Sequence, residues 1–259
     1  MSFAFMRPVT FLLIAGVGLC AGMLLCSRVA FRFGLRHKSV SDDQFTVVET
    51  ATLGLVALLL AFTFQVSMSR FEEARQLIVS EANAIGTAYL RLDLLESSDG
   101  TEIRGLFRTY LEDRIQIYEI VSSGGDSAPI ISQTRKLQQK IWSRVLESSR
   151  RAPLPNAPLL LVPVINQMID ITTARIVSHR TRLPALVKGL LFVLALISSA
   201  VIGYAMGMQR RRSPVPVVIF SLIVSATIYT VLDLDSPRYG LIRLDTTQQA
   251  LQDLKEEIK

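Results

Sequence analysis

Residues 47–66 read VVETATLGLVALLLAFTFQV, and the chain runs on from them to Gly86 without another glycine or a proline. The stretch is long enough to cross a hydrocarbon core of about 30 Å as a helix, with its single charge, Glu49, near one end. Beyond it, Ile78, Ala82, Ile85, Tyr89 and Leu92 recur at helical spacing and form one apolar face. A helix held from Val47 to Leu95 would be about 70 Å long at 1.5 Å per residue. More than half of it would stand beyond the bilayer. One element therefore both crosses a membrane and founds a bundle outside it.

Three further apolar stretches have spanning length: about Val9–Cys26, Ala185–Met208 and Val215–Leu234. Only Glu49, Lys188 and Asp233 carry charge inside the four stretches, each near an end. A short basic loop joins the first two, and Gln209–Pro214 joins the last two, so they pair as hairpins. The expected fold is an all-α membrane protein with four transmembrane helices in two hairpins and a helical-bundle insert between the second and third spans. Its expected parts are a first hairpin over residues 1–66, the insert over 67–184, a second hairpin over 185–235 and a tail over 236–259. The first stretch is read as a retained helix rather than a cleaved signal, because it is long and Arg28, Arg32, Arg36 and Lys38 follow it without a small-x-small site. Inside the insert, residues 97–100, 122–126 and 151–155 are rich in Ser, Gly, Asp and Pro and cut it into four helical runs. A four-helix bundle is the economical arrangement of those runs.

The composition agrees. Of 259 residues, 50% are hydrophobic and only 19% charged, against roughly a quarter charged in a soluble domain; the mean hydropathy is +0.38. A net charge of +6 and a pI near 9.6 could suggest nucleic acid as a partner. The placement of the charges opposes that. The insert holds 15 Lys and Arg against 13 Asp and Glu, whereas seven basic residues crowd the two short loops. The basic balance thus reports membrane insertion, with the lipid bilayer and not nucleic acid as the partner; the expected location of such a multi-pass protein is the plasma (inner) membrane. Arg28, Arg32, Arg36, Lys38 and Arg210–Arg212 argue that the short loops are cytoplasmic, while Arg70, Arg75, Arg175, Arg180, Arg182, Arg238 and Arg243 weigh on the other side.

No Walker loop, GxSxG, HExxH or dinucleotide glycine pattern occurs, so no enzyme is expected. His37 and His179 are far apart in the chain, and Cys20 and Cys26 lie in one span on different faces, so neither a metal site nor a cofactor is expected.

Several residue patterns bear on function. Thr50, Gly54, Ala57 and Ala61 lie along one stripe of the second span, with Phe62 or Phe64 placed to form a neck; such a stripe suits a pore lining and equally a packing seam. Ala195, Ser199, Gly203 and Gly207 recur every fourth position in the third span and let another helix approach closely, either inside one subunit or between subunits. Glu81 with Asn83, and Asn166 with Asp170, are candidates for polar partners that lock two long helices in register. Asp233 and Asp235, with Arg238 beside them, form either an ion-attracting ring or a salt-bridge and capping cluster at the end of the fourth span.

Three stretches carry a family resemblance. They are residues 58–64 (LLLAFTF), continuing through 69–75 (SRFEEAR) and 81–91 (EANAIGTAYLR); residues 166–170 (NQMID) through Arg182-Leu183-Pro184; and residues 232–243 (LDLDSPRYGLIR). Together they resemble the bacterial bestrophin-like membrane family, which is largely uncharacterised. Bestrophins are pentameric chloride or cation channels with four membrane helices per subunit and a helical domain built on the second and third. The resemblance implies a homo-oligomer, a pentamer by that precedent, acting as an ion channel or passive pore. It also implies a bundle on the cytoplasmic side, against the short-loop count. The dense acidic cluster of a bestrophin calcium clasp is not matched beyond Asp233 and Asp235, so calcium gating is not implied. The alternative is a non-conducting membrane scaffold whose helical bundle binds a partner.

Overall fold

The computed structural model describes residues 3–36, 42–180, 183–210, 213–235, 241–242 and 244–258. These are helical, with no strand among them. The helices are α1 (Phe3–Gly34), α2 (Asp42–Leu90), α3 (Ser97–Ser122), α4 (Ala128–Arg151), α5 (Ala157–Arg180), α6 (Ala185–Met208), α7 (Val215–Leu234) and α8 (Asp245–Glu257). α2 tightens into a 3₁₀ turn at Arg91–Leu94, and Leu95 is extended, which ends the long helix. α3 closes at Gly124, whose φ of 79° favours a residue without a Cβ. The amide of Gly125 then donates to Ile120 O at 2.8 Å, which caps a free carbonyl.

The chain divides into two compact units. One comprises Met1–Phe5, Glu72–Thr181 and Arg243–Lys259; the other comprises Met6–Phe71 and Arg182–Ile242. α2 contributes to both.

In the first unit, α3, α4, α5 and the C-terminal part of α2 turn their apolar faces inward. Ile85, Leu92, Ile103, Phe107, Tyr110, Ile141, Leu161, Ile165 and Met168 are fully buried together. α8 joins them through Leu251, Leu254 and Ile258. Arg108 Nε and Tyr89 Oη donate to Ile258 O at 2.8 and 3.3 Å, and Lys255 pairs with Glu112 at 3.1 Å. Burial supplies most of the stability of such a bundle, at roughly 1.5–3 kcal/mol per large apolar side chain.

In the second unit, Leu19, Met23, Val56, Leu60, Leu191, Ala195, Val224, Ile228 and Val231 form the core. Its outward residues are apolar too: Ile14, Val17, Leu58, Phe62, Leu186, Ile219 and Leu222 are all exposed. A surface that is greasy on both sides of its helices belongs in lipid or against other such chains.

Among the described residues five helices, not four, are long and apolar enough to cross a membrane: Leu12–Gly34, Thr46–Leu94, Ala157–Ser178, Ala185–Met208 and Val215–Leu234. The additional one lies in α5. Its mean hydropathy is 1.3 against 2.0–2.4 for the others, because Asn166, Gln167, Asp170, Thr172, Thr173 and Arg175 dilute it. Length and composition alone do not separate a span from a bundle helix here.

Candidate functional site

Four features carry the chemistry of the candidate residues. The first is the seam between α1 and α6. Ser199 Oγ donates to Met23 O at 2.6 Å. One turn on, a Cβ built on Gly203 would collide with the carbonyl oxygen of Ser27 and lie 2.6 Å from its Cα. At the next turn, one on Gly207 would collide with Phe31 O and lie 3.0 Å from Gly34 Cα. Ala195 is fully buried. The small-residue ridge of α6 is therefore occupied by the backbone of α1 from the same chain. Contacts rise together in both helices (23 with 199, 27 with 203, 31 with 207), so α1 and α6 run in the same direction.

The second is the opposite case. Thr50, Gly54, Ala57, Ala61 and Phe64 on α2 are all exposed in the single chain. A Cβ on Gly54 would meet nothing within 4 Å. The buried side of this helix is Val56, Leu60, Thr63 and Ser67, roughly a third of a turn away at 100° per residue. Among the described residues, nothing in its own unit covers the small-residue stripe of α2.

The third is a pair of acids at the end of α7. Asp233 is buried and its two oxygens accept the amides of Leu241 (2.9 Å) and Ile242 (2.8 Å). Asp235 accepts the amide of Leu183 at 2.9 Å, immediately before α6, and pairs with Lys188 at 2.7 Å and with Arg70 at 3.9 Å. Both carboxylates tie chain segments together at the ends of α6 and α7. Arg238 lies outside the described residues, as do His37, Lys38, Arg182, Arg211, Arg212 and Arg243. Asp233→Ala should free two amides and cost about 2 kcal/mol, as loss of charge-assisted hydrogen bonds does. Amide exchange measured by mass spectrometry should then speed up at Leu241 and Ile242; unchanged exchange there would contradict this role.

The fourth is the polar centre of the helical unit. Glu81 is fully buried and receives Arg114 Nε on one carboxylate oxygen and Arg175 Nη1 on the other. Arg175 Nη2 donates on to Gln248 Oε1 of α8 at 2.8 Å. Tyr110 and Thr172 share a hydroxyl–hydroxyl bond at 2.7 Å, and Gln138 Nε2 reaches Tyr110 at 3.3 Å. Glu81 lies beyond the apolar stretch 47–66. Burial pushes its carboxyl pKa up, but the charges and hydrogen bonds of the two guanidinium groups outweigh this and bring it down to about 2. Of the four polar candidates in this region, Glu81 alone sits in the network; Asn83, Asn166 and Asp170 are exposed. Arg114, Arg175, Tyr110, Thr172 and Gln248 complete it. Their sequence signal is positional. Arg114 follows Ile103, Phe107 and Tyr110 at steps of four, three and four, and Arg175 follows Leu161, Ile165, Met168 and Thr172 in the same way.

A family model for the bestrophin-like domain matches residues 17–249. No curated protein sequence matches the chain. Among solved structures, the chain is similar to a leucine-to-threonine variant of a bacterial bestrophin homologue from Klebsiella pneumoniae, at a TM-score of 0.70 and 15% identity over 94% of this chain and 98% of that one. A tryptophan-to-alanine variant of the Klebsiella pneumoniae homologue gives a TM-score of 0.69 at 16% identity, over 95% and 98% of the two chains. A serine-to-alanine variant of a protein described as a membrane protein gives 0.68 at 14%, over 92% and 95%. At such identities the structures establish a shared fold, while the family model covers most of the sequence. This chain belongs to the bestrophin-like family of membrane proteins.

Proposed function

We propose that the chain is one subunit of a homo-oligomeric ion channel or passive pore of the plasma (inner) membrane. Its four spans are α1, the first part of α2, α6 and α7. Residues 1–66 and 185–235 supply the two hairpins and residues 67–184 the helical insert. The observation that carries the reading is the contrast between the two small-residue stripes. The α6 stripe is filled by α1 of the same chain, whereas Thr50, Gly54, Ala57, Ala61 and Phe64 stand uncovered on α2. An uncovered stripe of small and polar residues ending in an aromatic ring suits the axis of a ring of subunits, with Phe64 at the constriction. Bestrophin-like membership supports the same choice.

The four-span count is supported by chain direction. α1 and α6 run parallel along their seam, so the chain must cross an odd number of times between them. α2 alone meets that condition; α2 and α5 together do not. This supports assigning α5 to the insert, as do its lower hydropathy and its buried Arg175.

The test is ion flux from purified protein reconstituted in liposomes, together with its mass in detergent. A channel should form closed oligomers and pass ions. Ala61→Trp should leave the oligomer intact and lower the flux roughly tenfold by filling the axis. A verified oligomer with no flux under several salts and pH values would remove the channel reading, and an unaltered flux in Ala61→Trp would remove the α2 lining.

A further inference from the structure

The polar centre of the helical unit has two cations on one carboxylate. Both oxygens of Glu81 are taken, one by Arg114 and one by Arg175. A guanidinium cannot shed its proton to relieve the imbalance. Asp113, also buried, accepts Gln133 Nε2 at 3.1 and 3.3 Å; its charge attracts Arg114 through space, without a hydrogen bond between them. Arg175 extends to Gln248. Arg114 is left with Nη1 buried and without a hydrogen-bond partner, in a side chain only 3% exposed.

Arg114 also borders a cavity of about 120 Å³ enclosed by α3, α4 and α5. Thr134, Arg135, Gln138, Thr172 and Thr173 line it as well, with apolar side chains between them. Two of the lining side chains are cationic and none is acidic. Arg135 is exposed and marks the side from which the cavity is reached. The space admits a few water-sized particles, which suits a monatomic ion or a single oxyanion and excludes a nucleotide.

We propose that this cavity binds a small inorganic anion, chloride or phosphate, between Arg114 and Arg135. The anion accepts charge-assisted hydrogen bonds from Arg114, which Glu81 engages only through Nε and whose Nη1 has no hydrogen-bond partner. Arg175 Nε is likewise without a partner, but Arg175 does not line the cavity and is not part of the site. The site goes beyond the pore reading and does not depend on it, since a chain that conducts nothing would bind the anion equally.

The experiment is thermal unfolding of the full chain in detergent, titrated with sodium chloride or with sodium phosphate. Ionic strength is held constant with sodium gluconate, whose anion is too large for the cavity. A saturable rise in Tm with either small anion is expected, as for any ligand that binds only the folded state. A rise with chloride alone identifies a halide site, with phosphate alone an oxyanion site, and with both an unselective one. Arg135→Gln, an exposed substitution, should melt like the natural chain in gluconate and need about tenfold more anion for half the effect. A Tm indifferent to both anions overturns the proposal, and so does a rise that Arg135→Gln leaves in place.

Discussion

Gly203→Leu should prevent recovery of a monodisperse, folded chain, or lower its Tm in detergent by an amount equivalent to at least ~3 kcal/mol, at the upper end of overpacking costs. The reason is what the added atoms would meet. Most overpacked cores relieve strain by rotating a side chain, but the obstacle at position 203 is the backbone of Ser27: its carbonyl oxygen, Cα at 2.6 Å and carbonyl carbon at 2.7 Å. Relief requires α1 to move off α6 as a body. That would also break the Ser199–Met23 hydrogen bond and the approach of Gly207 to Gly34. In lipid the loss is not recovered by hydrophobic association, because close packing is itself the force that holds such helices together. Gly189 on the same helix provides the control, since a Cβ there would meet nothing within 4 Å. Gly189→Ala should be neutral or stabilising by about 0.5–1 kcal/mol through helix propensity. Equal melting of Gly203→Leu and the natural chain would show that the α1–α6 seam is not as close as described.

The helices themselves were legible in the sequence because two periodicities dominate it. Continuous apolar runs mark α1, α6, α7 and the first part of α2, and steps of three and four mark the faces of α3 and α5. The small-residue ridge at 195, 199, 203 and 207 was equally visible, but its partner was not. A stripe of glycine and serine states that something comes close without stating what. Only the folded structure puts Ser27 and Phe31 against it and leaves the similar stripe on α2 uncovered. The polar network was legible in part. Glu81 borders the apolar face set by Ile78, Ala82 and Ile85 and ends up buried, whereas Asn166 and Asp170 fall beside the face set by Leu161, Ile165, Met168, Thr172 and Arg175 and end up exposed. Following that face to its end would have found Arg175, and the same step on α3 would have found Arg114. The part played by α8 had no comparable signal. Its buried stripe of Gln248, Leu251, Leu254 and Ile258 is short, and Gln248 acquires its meaning only from Arg175 across the unit.

Glu81→Ala should destabilise the helical unit by about 3–5 kcal/mol, the usual cost of removing one partner from a buried ion pair. The substitution leaves Arg114 and Arg175, 3% and 4% exposed as side chains, facing each other with no carboxylate between them. Neither can lose its charge, so the unit must open or admit water and anions. Breaking the cluster and replacing it have different consequences. A triple variant, Glu81→Leu with Arg114→Met and Arg175→Met, removes all three charges together and should melt well above Glu81→Ala, because buried ion clusters are often matched by apolar side chains of similar volume. The pH dependence has a defined sign. The folded pKa of Glu81 is depressed from 4.5 to about 2, so its contribution is fully present above about pH 4.5 and is lost as pH falls from there toward 2. The natural chain should therefore lose stability steeply across that window, and the triple variant should lose less. Circular dichroism melts of the three proteins between pH 2 and pH 7 check both statements. If Glu81→Ala melts with the natural chain at neutral pH, or the triple variant shows the same acid slope, the two arginines are not held by this carboxylate.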